Sequence, residues 1–282
     1  MNGLKTQRVS VLGGELRFLR TGQGPTVLLL HTLRTQLEYF IPLMRTLDLG
    51  LEIVAPDLPG HGRSSAPDVE YTAQYFTDVV EKFLDALDLT RVLLVGESIG
   101  ASIGLALAAR RNHRLAGVIA SNPYDYGRRG GIRRSSPLAN VVFTAMTWPV
   151  IGSVVVRTGT KGILRKIMEG GVYDPRRVPS DLIDEMWACG NLPGHARAFL
   201  SLSREWKTWI AARSAYAAAE LPITLVYGDH DWSRPEDREA NSRVLQTART
   251  LVLENCGHFS GLEQPQQIAR LIRDEASHMG ES

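Results

Sequence analysis

Val92-Leu93-Leu94-Val95-Gly96-Glu97-Ser98-Ile99-Gly100 runs from an apolar segment, through Gly-x-Ser-x-Gly, into the Ala- and Leu-rich stretch Ile99 to Arg110. A short Val/Leu run that ends on glycine reads as a buried strand, and the stretch after it reads as a helix. A serine on so sharp a strand-to-helix turn is held in a strained backbone conformation, and only glycine fits close beside it on either side. The turn lifts the hydroxyl clear of a sheet and aims the free N–H groups of the helix start at any developing oxyanion. The motif alone is common by chance, and its strand-to-helix setting gives it weight.

Working outward, further apolar runs read as strands of a sheet covered on both faces: Val27 to Leu30, Ile53 to Ala55, Gly117 to Ala120, Ile223 to Tyr227 and Leu251 to Leu253. Gln7 to Leu12 and Glu15 to Arg20 meet at Gly13-Gly14, a hairpin signal. Thr72 to Leu87 places Phe76, Val79, Val80, Phe83, Leu84 and Leu87 at spacings of three and four, which is one face of a helix. Pro265 to Met279 reads as a closing helix. Alternating strands and helices predict a doubly wound, mostly parallel α/β sheet. The alternation pauses between Asn122 and Glu220, where helical stretches occur without a convincing strand. The expected organisation is a core of residues 1–121 and 221–282 with a mostly helical insertion at 122–220.

The chain has 282 residues, 44% of them hydrophobic and 22% charged, with a net charge of +2. These values suit a soluble globular protein with a core able to bury a site. No strongly basic face or nucleic-acid motif appears, so nucleic acid is not the expected partner. The one basic cluster, Arg128, Arg129, Arg133 and Arg134, reads first as a solvated loop. Two cysteines, Cys189 and Cys256, give neither a disulfide scaffold nor a CxxC metal site. The stretch Met1 to Ser10 lacks the apolar core of a secretory signal. Leu138 to Val156 is broken by polar residues, Pro149 and Gly152, so a buried helix pair is expected there rather than a membrane span. The expected location is cytoplasmic, and monomer and homodimer both stay open.

A serine needs a base to take its proton and a third group to orient that base. Of the seven histidines, His258 follows the last predicted strand, in Asn255-Cys256-Gly257-His258-Phe259. His31 follows Val27 to Leu30, and His61 lies in a glycine-rich turn. His113 and His195 sit on or beside helical segments, His278 is near the C-terminus, and His230 lies between two aspartates. The candidate acids are Asp229 and Asp231, in Tyr227-Gly228-Asp229-His230-Asp231, and Asp125 after the strand ending at Ala120. Strand C-ends share one edge of a parallel sheet, where ligands bind. Ser98, Asp231 and His258 all follow such ends, in the order nucleophile, acid, base.

These residues resemble the α/β-hydrolases of the capped branch, which includes esterases, C–C bond hydrolases, epoxide hydrolases and haloalkane dehalogenases. The resemblance covers essentially the whole length. Gly228 to Asp231 is similar to the family's G-x-x-D acid stretch, Gly257-His258 to its G-H base stretch, and Asp57 to Ser64 to its D-x-x-G-x-G-x-S turn. That turn is expected to be structural, with Gly60 and Gly62 permitting it and Asp57 and Ser64 bonding its backbone. The resemblance implies Ser98 as nucleophile, Asp231 as acid and His258 as base. It also implies an oxyanion hole made by the N–H of Ile99 and, after an early strand, the N–H of Leu33. Thr32 stands where the family usually has glycine, so its hydroxyl is an alternative donor. Dehalogenases and epoxide hydrolases of this branch carry aspartate at the elbow, so Ser98 favours acyl transfer to water.

In that family an insertion at this position forms a cap over the nucleophile. Met146, Trp148, Met168, Trp187, Phe199, Trp206 and Trp209 supply bulky apolar surface there. The expected pocket residues are His31, Trp148, Trp187, Trp232 and Phe259. Gly127, Gly130 and Gly131 read either as a hinge or as loop punctuation. No phosphate loop or metal cluster appears, so no cofactor and no metal are expected. The leading expectation is hydrolysis of a carboxylic ester, thioester or lactone of a small apolar acyl substrate. The alternatives are a C–C bond hydrolase of a dicarbonyl substrate, with the arginine cluster as an anion contact, and a non-catalytic ligand receptor on the same fold.

Overall fold

The computed structural model describes residues 5–47, 50–126 and 130–280. Eight strands form one sheet: β1 (Thr6–Val11), β2 (Gly14–Thr21), β3 (Thr26–Leu30), β4 (Glu52–Pro56), β5 (Val92–Glu97), β6 (Leu115–Ser121), β7 (Ile223–Gly228) and β8 (Arg249–Leu253). Their order is β1-β2-β4-β3-β5-β6-β7-β8. The first hairpin pairs antiparallel, and β2 pairs antiparallel with β4. From β4 to β8 every pairing is parallel.

Helices fill the connections. They are α1 (Ile41–Met44), α2 (Ala73–Ala86), α3 (Ile99–Ala109), α4 (Pro137–Met146), α5 (Pro149–Thr158), α6 (Lys161–Glu169), α7 (Ser180–Gly190), α8 (His195–Arg204), α9 (Trp206–Arg213), α10 (Pro235–Val244), α11 (Ser260–Glu263) and α12 (Pro265–Gly280). Thr72 starts α2 by accepting a hydrogen bond from the Tyr75 N–H, which satisfies one of the free donors of its first turn.

Strand side chains alternate between two cores, as the pleat dictates. Leu28, Leu94 and Val118 face Phe76, Val80 and Phe83 of α2 and Ile103 and Leu107 of α3. Val27, Leu29, Val95, Ile119 and Val226 face Ile268, Ala269 and Ile272 of α12. With both faces covered, the central strands β3, β5 and β6 are almost wholly apolar, which is why they read as continuous runs. Between β6 and β7 the described residues carry only helical elements, α4 to α9 with short 3-10 turns. Among the described residues no helix is long and apolar enough to cross a membrane. Gly127, Arg128 and Arg129 lie outside the described residues.

Candidate active site

Ser98 sits between β5 and α3 with φ 56° and ψ −111°, a backbone region that residues with side chains rarely adopt. A β-carbon at Gly96 would collide with the carbonyl group of Gly100, and one at Gly100 with the Leu30 carbonyl. The turn is therefore as tight as the two glycines allow. The Ser98 N–H donates to the Ser121 carbonyl at 2.9 Å, and its carbonyl accepts from the Tyr124 N–H at 3.1 Å. These bonds tie the elbow to the end of β6.

Asp231 follows β7 and His258 follows β8. Their side chains meet at 2.5 Å between Nδ1 and Oδ1, with both fully enclosed. The Asp231 carboxylate can only accept, so Nδ1 carries the proton and Nε2 is left as an acceptor. Asp231 Oδ2 accepts from the Ser233 N–H at 2.8 Å and the Tyr126 hydroxyl at 3.3 Å. Burial alone would raise the Asp231 pKa. The facing imidazole and the Ser233 bond outweigh it and hold the carboxyl below its usual range. Ser98 and His258 line the same cavity, and the Ser98 hydroxyl is bonded to no described side chain.

The other two candidate acids go elsewhere. Asp229 accepts from the N–H groups of Asn255 and Cys256 and from exposed His230, so it shapes the loop ahead of His258. Asp125 is buried beside Asn241, with one carboxylate oxygen unpartnered, and touches no histidine.

Three residues that the sequence reading passed over hold this pair in place. Asn122 accepts from the Gly228 N–H and donates to the His258 carbonyl, both at 3.0 Å, so one amide fastens the acid strand to the base loop. Glu97 is buried and accepts from Tyr39, from the Ser260 N–H at 2.5 Å and hydroxyl at 2.7 Å, and from the Gly261 N–H at 3.3 Å. Glu263 accepts from the Gly257 N–H at 2.6 Å and from the N–H groups of Tyr173 and Asp174 at 2.8 and 3.0 Å. Burial pushes both carboxyl groups above their usual range, against these hydrogen bonds. The His258 N–H donates to the Gly171 carbonyl at 2.6 Å.

Among the described residues neither the Ile99 N–H nor the Leu33 N–H is spent on a protein acceptor. Thr32 keeps an ordinary backbone, and the positive φ of this loop falls at Arg34, 67°. Thr32 and Leu33 both line the cavity.

About 820 Å³ of unfilled space opens over Ser98, counting its mouth. Trp187, Trp232 and Phe259 line it, joined by Phe143, Met146, Met168 and Phe199 from the helical segment. His31 and Trp148 do not line it, which corrects the expectation for both. His31 is fully buried, its Nε2 accepting from the Leu58 N–H at 2.9 Å and its Nδ1 bonded to the Thr32 carbonyl at 2.8 Å. It staples the loops after β3 and β4, and burial lowers its pKa. Trp148 lies in the turn between α4 and α5, extended ahead of Pro149, and is 57% exposed.

The basic cluster does not line the cavity either, where it is described. Arg134 pairs with Asp237 at 2.6 Å and donates to the Trp232 carbonyl, while Arg133 donates to the Phe143 carbonyl. The arginine that does line the cavity is Arg34. As expected of the glycine turn, Asp57 accepts from the Leu37 and Arg63 N–H groups and from the Arg17 guanidinium, and the Ser64 hydroxyl donates to the Asp57 carbonyl. His61 is buried in that turn and bonds the Pro59 carbonyl.

Residues 27–271 match the family model described as the alpha/beta hydrolase family. The chain is 29% identical over 202 residues to a haloalkane dehalogenase of Mesorhizobium japonicum, covering 71% of this chain and 64% of that protein. It is 26% identical over 279 residues to the 2-hydroxy-6-oxo-2,4-heptadienoate hydrolase of Pseudomonas putida, covering 96% and 92%. Among solved structures, Cfl2 from Burkholderia cenocepacia superposes with a TM-score of 0.84 at 23% identity, over 95% of this chain and 94% of that one.

Proposed function

Because the chain belongs to the alpha/beta hydrolase family, we propose that it is a serine hydrolase which cleaves a carboxylic ester, thioester or lactone through an acyl-enzyme on Ser98. The observation that carries this reading is the buried Asp231–His258 pair, opening onto the cavity that the strained elbow of Ser98 also faces.

His258 Nε2 takes the proton of the Ser98 hydroxyl as Oγ adds to the carbonyl carbon. The N–H groups of Ile99 and Leu33 receive the developing oxyanion. Collapse breaks the bond to the leaving alcohol, thiol or ring oxygen, which takes the proton from His258. Water, deprotonated by the same imidazole, then adds to the acyl carbon and releases the acid and Ser98. Asp231 holds the imidazole in the tautomer each step requires. The helices between β6 and β7 act as a lid, closing an apolar pocket over the acyl chain.

Ser98 also argues against halide displacement. A serine oxygen that displaced a halide from carbon would form an ether, which water does not cleave under these conditions, whereas an acyl ester turns over.

The test is turnover of short p-nitrophenyl esters by wild type and by Ser98→Ala, with fluorophosphonate labelling of Ser98. Equal rates from the two proteins would end the proposal. A second reading, cleavage of a C–C bond in a dicarbonyl substrate, uses the same three residues. The near full-length match to the Pseudomonas putida hydrolase favours it. Turnover of dicarbonyl acids with inert esters would select it.

A further inference from the structure

Arg34 directly follows Leu33 on the loop after β3 and is one of the residues lining the cavity over Ser98. Its guanidinium lies over the Phe199 ring of α8, 4.6 Å from the centroid. On α7, Gly190 makes room for it: a β-carbon there would stand 2.8 Å from Nη2. Among the described residues it forms no ion pair and donates no hydrogen bond. Arg34 also borders a smaller cavity lined by Gly60, His61, Gly62 and His195, none of which carries a negative charge. The nearby α7 carboxylate, Glu185, is committed to Arg63 at 2.7 Å.

Such a placement is costly. The guanidinium is partly enclosed by apolar walls with no counter-charge among the described residues, and a partly desolvated cation gains from an anionic partner. Burial accordingly pushes its pKa down to about 10. The cation–π contact offsets part of the cost and leaves the five N–H donors unused. The walls around it are apolar, with Leu33, Phe199 and Trp187 on the same surface. A lone cation in an apolar cavity suits a ligand that is itself apolar with one anionic end, and the planar fork matches a carboxylate in bidentate fashion.

We infer that Arg34 is a specificity-determining residue that seats a free carboxylate of the substrate, so that the acyl compound cleaved at Ser98 is a hemi-ester, lactone acid or similar molecule with an apolar spacer between scissile carbonyl and carboxylate. This deepens the hydrolase reading and rests on it for the bond cleaved. The seat for the anion stands on Arg34 alone.

Two measurements separate the parts. The first compares kcat/KM for 4-nitrophenyl hexanoate and mono-4-nitrophenyl adipate, esters of equal chain length that differ in the terminal carboxylate. Wild type should prefer the adipate, and Arg34→Met should reduce the ratio by about 10- to 100-fold, the scale of a lost charge-assisted hydrogen bond. Arg34→Lys, which keeps the charge and loses the fork, should fall between them and serves if the Met variant does not fold. The second uses no turnover. Calorimetry on Ser98→Ala should show adipic acid monoamide bound more tightly than hexanamide, with the difference lost in Ser98→Ala/Arg34→Met. Equal binding of the two amides, or a ratio insensitive to Arg34, overturns the inference. Carboxylate-dependent binding through Arg34 without Ser98-dependent turnover of any carbonyl substrate keeps the seat and overturns the hydrolase reading.

Discussion

The indole of Trp232 lies flat on the imidazole of His258, ring centroids 4.0 Å apart and planes at 18°. Its Nε1 donates to the Gly170 carbonyl at 3.2 Å, so the ring is fixed from the other side by the helical segment. Trp232 therefore sets the tilt of the proposed base and keeps water from that face. Trp232→Ala should cost about 3–5 kcal/mol of stability, the scale for emptying a buried indole site. It should lower kcat more than it raises KM. Trp232→Phe should recover most of both. Urea unfolding and steady-state kinetics on the three proteins check this.

Asp231→Asn should reduce kcat by about a thousand- to ten-thousand-fold, on the scale measured for triads. An amide NH2 facing Nδ1 forces the proton onto Nε2, where it can no longer accept from Ser98. The same substitution should slow fluorophosphonate labelling of Ser98. Asp229→Asn should leave labelling within a few-fold of wild type, because Asp229 bonds a loop and not His258. Reversal of that ranking would transfer the acid role to Asp229.

Glu97 is a positioning residue, since it bonds the residues after His258 and reaches no substrate. In Glu97→Gln an NH2 replaces one acceptor and meets either the Ser260 N–H and hydroxyl at Oε1 or the Gly261 N–H and Tyr39 hydroxyl at Oε2. Turnover should fall about 10-fold with KM little changed, and stability by about 1–3 kcal/mol for the donors left unsatisfied. A change in KM alone would contradict a role in placing the base.

Asp125 offers a test in pH. Burial raises its pKa to about 7, and one oxygen lacks a partner. A carboxyl raised above its unfolded value of about 4 binds its proton more tightly in the native state. It costs no stability below pH 4, and costs progressively more as pH rises from 4 to 7. Asp125→Asn removes that dependence. Its melting temperature relative to wild type should rise between pH 5 and pH 8, with ester turnover largely retained. A pH-independent difference would show that Asp125 ionises normally.

Much of this was legible because local rules and the global fold agree. Val92 to Gly100 declares a strand, a turn and a helix, and each is found where the residues place it. Gly228 and Gly257 mark the two strand ends that bring Asp231 and His258 together. What stayed hidden depends on tertiary neighbours. Asn122, Glu97 and Glu263 are ordinary polar residues until folding buries them against backbone N–H groups far along the chain. His31 looked like a pocket residue because it ends a strand beside the site, yet its ring turns back to bond Leu58. Arg34 gave no periodic or spacing signal. The arginine cluster near Arg134 drew the eye, although Asp237, over a hundred residues later, claims that charge.

Glu263 and the Gly171 carbonyl together grip both sides of the segment that ends in His258. If the stretch from Gly171 to Asp174 swung outward, the imidazole would be dragged off Asp231 with it. Those bonds hold the base loop whether or not the cavity is filled, so each arriving molecule meets an imidazole already seated.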